Sequence, residues 1–88
     1  MSKIKKSTRN ARLYSKTLKA AAGHCDEVRK RIVQERKEQG LSAAEVAKQM
    51  GISRPFYTQL EVGTRRTDLV YFLAICQVLQ VEPGELLE

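Results

Sequence analysis

Eighty-eight residues, 42% of them apolar, with a formal net charge of +6, describe one small basic domain. A chain this short buries only roughly 60% of its unfolded surface, so it gains stability from a partner. No apolar run approaches the ~20 residues that cross a bilayer, and the charged N-terminus lacks the apolar core and cleavage site of a secretory leader, which argues against a membrane partner.

Cys25 and Cys76 stand in no metal-ligating spacing, so two reduced thiols of a cytoplasmic protein are expected, with no metal and no cofactor. The charge is unevenly placed. Residues 1–23 carry seven basic side chains and no acid, whereas residues 24–88 carry nine basic and ten acidic ones. The basic character therefore belongs to an N-terminal extension, residues 1–23, ahead of a nearly neutral body, residues 24–88. Such an arm suits nucleic acid or an anionic surface.

Residues 1–8 are polar, charged and without period, and are expected to be irregular. From Arg9 to Ala22 the spacing fits a helix. Arg9, Arg12, Lys16 and Lys19 fall on one face, and Tyr14, Leu18, Ala21 and Cys25 on the opposite one. Gly23 and His24 mark either a break in that helix or a weak point in it.

A further helix is expected from Asp26, as its N-cap, to Gln39, with Gly40 as its stop. Arg36 lies in line with Val28 and Ile32 on its inner face. Either its stem packs while its head reaches water, or it makes an internal ion pair, for which Glu61 is the partner.

Ser42 and Glu45 form a capping-box pattern at the start of the next helix, whose inner face is Ala43, Val46, Ala47 and Met50. Gly51 suits a tight turn, Ile52 plugs it, and Ser53 caps a helix with Pro55 in its first turn. Tyr57 and Leu60 face inward, and Gly63 ends that helix. Two short helices bent about a glycine, the second with exposed polar positions, form the layout that places a helix in the DNA major groove.

Thr64–Thr67 read as a loop. Thr67 or Asp68 caps a helix over Leu69–Leu79 with Leu69, Phe72, Leu73, Cys76 and Leu79 inward. Val81 leads to a last short helix, Pro83–Leu87. No strand or repeat is evident.

These residues resemble the lambda-repressor and Cro-like, or XRE, family of helix-turn-helix proteins over about residues 26–88. The matching features are Val46, Ala47, Met50, Gly51, Ile52, Tyr57 and Leu60 at the motif's spacing, and Glu61-Val62-Gly63 after the second helix. The helix-turn-helix unit spans 42–62. The resemblance implies an all-α, five-helix DNA-binding domain, here preceded by the basic arm, with a bridge between Arg36 and Glu61.

In three places the chain departs from the family. Tyr57 stands where Ile or Val is usual, Pro55 where a polar base-reading side chain is frequent, and Thr67 where a proline is common.

On this reading Ser53, Arg54, Pro55, Thr58 and Gln59 face the bases. Ser42, Ala43, Thr64, Arg65 and Arg66 face phosphates, and Arg9, Arg12, Lys16 and Lys19 carry the arm onto DNA. The expected partner is double-stranded DNA with a two-fold symmetric operator, bound by a homodimer. Val78, Val81, Leu86 and Leu87 form the expected dimer surface, with Val70 and Tyr71 as candidates to extend it.

The expected function is sequence-specific transcriptional regulation, as a repressor that occludes a promoter. The alternatives are a DNA-binding antitoxin gripping a toxin partner and a protein-interaction or coactivator module. Peripheral membrane binding through residues 9–22 ranks last, because it leaves residues 41–63 without a role. An enzyme is not expected. His24 and Cys25 are neighbours that point about 100° apart on a helix, with no third group to orient them, so no catalytic residue is assigned.

Overall fold

The computed structural model describes residues 7–88, with side chains from Lys16 onward. Residues 1–6, part of the segment expected to be irregular, lie outside the described residues, as do the side chains of Arg9, Arg12 and Tyr14. Five helices follow one another: α1 (Ser7–Glu38), α2 (Ala43–Met50), α3 (Arg54–Val62), α4 (Leu69–Leu79) and α5 (Pro83–Leu87). Among the described residues there is no strand.

The largest departure from expectation is α1. It is one continuous helix of 32 residues, not two helices parted at Gly23 and His24. A mid-helix glycine costs only about 1 kcal/mol relative to alanine, and three alanines precede it. Asp26 does not cap a new helix; its carboxylate pairs with Arg29 one turn on. His24 Nε2 lies 2.9 Å from the Leu87 carbonyl of α5, which ties this stretch of α1 to the domain. The boundary drawn between residues 23 and 24 therefore falls inside a helix. The segment 7–23 is a rod of about 25 Å at 1.5 Å per residue.

The shorter helices start and stop where their caps dictate. Gly40 closes the α1 end at φ +74°. Ser42 and Glu45 make the reciprocal box: the Glu45 amide donates to Ser42 Oγ (3.0 Å) and the Ser42 amide to Glu45 Oε1 (2.7 Å). Gly51 takes φ +77°, and its amide closes the last turn of α2. Asp68 caps α4 by accepting from the Tyr71 amide at 2.9 Å.

One core joins all five helices. It contains Val28 and Ile32 of α1, Val46 and Ala47 of α2, Tyr57 and Leu60 of α3, Ile75, Cys76 and Leu79 of α4, and Leu86 of α5. Burial pushes the Cys76 thiol pKa up, Glu82 adding to the shift, so this cysteine is a packed core residue rather than a reactive one.

Leu69 and Leu73, expected inward, are exposed, and Ile75 takes the inward place. Almost every position of α4 is apolar, so periodicity does not select its inner face; contact with α2 does. Leu86, expected on a dimer surface, is only 4% exposed and sits in the monomer's own core. Arg31 Nη1 donates to its carbonyl at 2.9 Å, holding α5 against α1.

Candidate nucleic-acid interface

The turn at Gly51 and Ile52 sends α3 away from α2 with its first turn open. Ser53 Oγ accepts from the Phe56 amide at 3.1 Å, and Pro55 occupies the first turn, where its missing N–H leaves no bond unmade. Ser53, Arg54, Pro55, Thr58 and Gln59 are all exposed, while Tyr57 and Leu60 are buried. One face of α3 thus carries every residue assigned to the bases, and the other is sealed in the core.

The inner face is also bolted in place. Arg36 grips Glu61 with two bonds, Nε to Oε2 at 2.6 Å and Nη2 to Oε1 at 3.1 Å. A third nitrogen, Nη1, donates to the Leu41 carbonyl at 2.9 Å. The Tyr57 hydroxyl donates to Glu61 Oε2 at 2.6 Å. The Arg36 and Glu61 side chains are only 12% and 10% exposed. Of the two readings of Arg36, the internal pair is the one formed. It also explains why a ring fits at position 57: the hydroxyl that a valine or isoleucine lacks finds a carboxylate one helical turn away.

The network has a pH signature. Burial, and then the bond to Glu61, push the Tyr57 hydroxyl well above the usual tyrosine pKa of about 10. A folded pKa above the unfolded one means stability is unaffected below about pH 10. Above that it falls, because only the unfolded chain releases the proton. The expected loss reaches about 1.4 kcal/mol per pH unit from this one group. Tyr57→Phe should flatten that part of the alkaline denaturation curve; an unchanged slope would show that Tyr57 ionises in the folded state.

Beyond α3 the chain reverses at Gly63, whose φ is +89°. A Cβ at this position would lie 2.8 Å from Arg29 Nε, the far end of a flexible side chain, so it is the backbone angle that calls for glycine. The loop then brings Arg65 back over α3. Its amide donates to the Gln59 carbonyl at 3.2 Å, and its Nε donates to Gln59 Oε1 at 3.1 Å. Its guanidinium lies over the Phe56 ring, 4.7 Å from the centroid. Phe56 in turn meets Tyr71 edge-on at 5.1 Å.

Phe56 carries no signal of this role in the sequence. Positions 56 and 65 share no helical period, because the chain turns between them. Arg65, assigned to phosphate, and Gln59, assigned to bases, are brought together as one unit. Thr64 and Arg66 remain exposed in the same loop.

Ser42 is exposed and Ala43 half-buried at the start of α2. The Ser42 hydroxyl and amide are both engaged in the cap, so a phosphate there would meet the backbone amides of the helix's first turn. Lys16 and Lys19 are exposed on α1. The apolar flank of the same segment, Leu18, Ala21, Ala22 and Cys25, borders a groove whose far wall is Gly63, Thr64, Arg66 and Thr67. The arm's rod therefore runs beside the loop that follows α3. No helix among the described residues is long and apolar enough to cross a membrane.

A helix-turn-helix family model matches residues 32–86, more than half of the chain and all of α2 to α4. No curated protein and no solved structure shows significant similarity to it. The matched span starts within α1, at the core residue Ile32, and contains the α2–Gly51–α3 unit with its exposed polar face and the bolt beneath it. The chain belongs to the helix-turn-helix family of lambda-repressor, or XRE, type, and is a DNA-binding protein.

Proposed function

We propose that the protein is a sequence-specific transcriptional repressor that occludes a promoter as a homodimer, with α3 in the major groove. The observation that carries this reading is the division of α3 into a buried, bolted face and a fully exposed face of Ser53, Arg54, Pro55, Thr58 and Gln59. Arg54 is in the first turn, where two bonds to guanine O6 and N7 are within an arginine's repertoire. Ser53 and Thr58 serve bases or phosphates, and the Pro55 ring suits a thymine methyl. Thr64 and Arg66 of the loop and the first turn of α2, Ser42 and Ala43, serve phosphates and set register.

For the homodimer, Val78 and Val81 are half-buried and Leu87 is exposed at the C-terminal end. With Leu86 inside the core, that end offers less apolar area than the composition suggests. Leu18, Ala21 and Cys25 on α1 add an exposed apolar strip.

Selection of bound duplexes from random DNA tests the proposal. Two half-sites with centres about 34 Å apart are expected. Arg54→Ala should relax one position of each half-site, whereas Arg66→Ala should weaken all sites alike. A pool with no enriched motif would overturn sequence-specific binding. Sedimentation showing one copy per duplex would overturn the homodimer.

A further inference from the structure

We propose that Arg65 is a specificity-determining residue: by holding the Gln59 amide it makes the pair a reader of guanine rather than adenine. The inference rests on the reading that α3 meets bases in the major groove. A free glutamine carries both an acceptor, Oε1, and a donor, Nε2. That combination matches adenine, whose major-groove edge offers one donor, N6, and one acceptor, N7.

Here one lone pair of the acceptor is engaged and the oxygen is turned toward a cation. Arg65 Nε donates to Gln59 Oε1 at 3.1 Å. The reverse amide orientation would set Nε2 donors against the Arg65 donor, so the chemistry of the contact fixes which way the amide points. Oε1 keeps a second lone pair, but it is held against the cation, so what the pair presents outward is chiefly donors: the Gln59 amino group and the remaining guanidinium N–H groups. Guanine is the base whose major-groove edge pairs two acceptors, O6 and N7, with no donor. Adenine and cytosine would bring an amino group toward a cation, and thymine offers one acceptor beside a methyl group.

Three restraints keep Arg65 in this role instead of leaving it free in solution. Its backbone amide is bonded to the Gln59 carbonyl at 3.2 Å. Its guanidinium is stacked on Phe56 at 4.7 Å, a contact of the cation–π kind. Phe56 is itself braced edge-on by Tyr71 at 5.1 Å and an interplanar angle of 85°. Phe56 and Gln59 sit one turn apart on α3, so the guanidinium stacks on the ring and bonds the amide at the side of the recognition helix.

The test uses the full chain and a duplex carrying the selected motif. The position that loses its preference in Gln59→Ala identifies the base that Gln59 meets. Affinities for the four bases at that position are then compared for the unaltered protein, Arg65→Lys and Phe56→Leu. Lysine keeps the charge for any phosphate but loses the flat fork.

The unaltered protein should favour guanine over adenine by at least about tenfold, within the span of one good base contact. Both variants should bring that ratio within about twofold while the rest of the motif stays intact. An adenine preference in the unaltered protein, or a ratio unmoved by Arg65→Lys, overturns the inference. So does a motif that responds to Arg54→Ala at one position and to Gln59→Ala at none, an outcome that leaves base reading by α3 standing. Absence of any motif would defeat that underlying reading itself.

Discussion

Arg36→Ala is expected to cost about 3 kcal/mol or more, the range for removing one partner of a buried ion pair. The reason lies in what stays behind. Glu61 is 10% exposed and would be left without its cation, with only the Tyr57 hydroxyl beside it. The Leu41 carbonyl, which ends the loop before α2, would lose its donor as well. Small domains hold about 5–15 kcal/mol in total, so the loss is a large fraction of what keeps α3 seated.

The three polar groups act as one network, so their effects should not add. Arg36→Met with Glu61→Leu and Tyr57→Phe removes the charges and the hydroxyl together. This triple change should recover most of the loss, because an apolar replacement leaves nothing unpaired. Urea midpoints would show the contrast. If Arg36→Ala lies within about 0.5 kcal/mol of the unaltered protein, an ordinary surface change, the pair is not what holds α3 on α1.

The second large effect concerns binding. Replacing Arg9, Arg12, Lys16 and Lys19 together by glutamine should lower the salt dependence of DNA affinity by about 3 to 4 in log–log slope. Each lost phosphate contact removes about 0.9. Affinity in low salt should fall by roughly 10²-fold, and the order of preference among sequences should not change, because phosphate contacts carry no sequence information.

The continuity of α1 sharpens this expectation. A helical rod holds its basic face in one direction, and Lys16 and Lys19 are on the segment that borders the loop carrying Arg66. The segment 7–23 of α1 carries four cations, Arg9, Arg12, Lys16 and Lys19, and no acid, so neighbouring charges on the rod repel one another until an anion covers them. A slope that does not change on substitution would place the arm away from the phosphates.

Most of the domain can be read from local chemistry. Ser42 with Glu45, Gly51, Ser53, Gly63 and Asp68 each satisfy a helix end within a few residues, so their roles follow from short spacings. Arg36 and Glu61 are far apart in sequence, but the helical phase of each points it inward, and a buried charge needs an opposite one.

What escaped the sequence depends on contacts between distant segments. Gly23 and His24 look like a break because their local propensity is poor, yet the bond from His24 to the Leu87 carbonyl lies 63 positions away. Leu86 looks like spare surface until α1 is seen to cover it. The inner face of α4 has no signature in a helix apolar almost all round. The contact of Arg65 with Phe56 and Gln59 exists only because Gly63 turns the chain back.

That α3 meets the major groove is tested most directly by methylation interference with dimethyl sulfate on a selected duplex. This reagent marks guanine at N7, in the major groove, and adenine at N3, in the minor groove. Interference is expected at guanine N7 in two clusters about one helical turn apart, with one guanine per cluster becoming insensitive in Arg54→Ala. Interference confined to adenine N3, with guanine N7 methylation tolerated throughout, would contradict major-groove reading by α3.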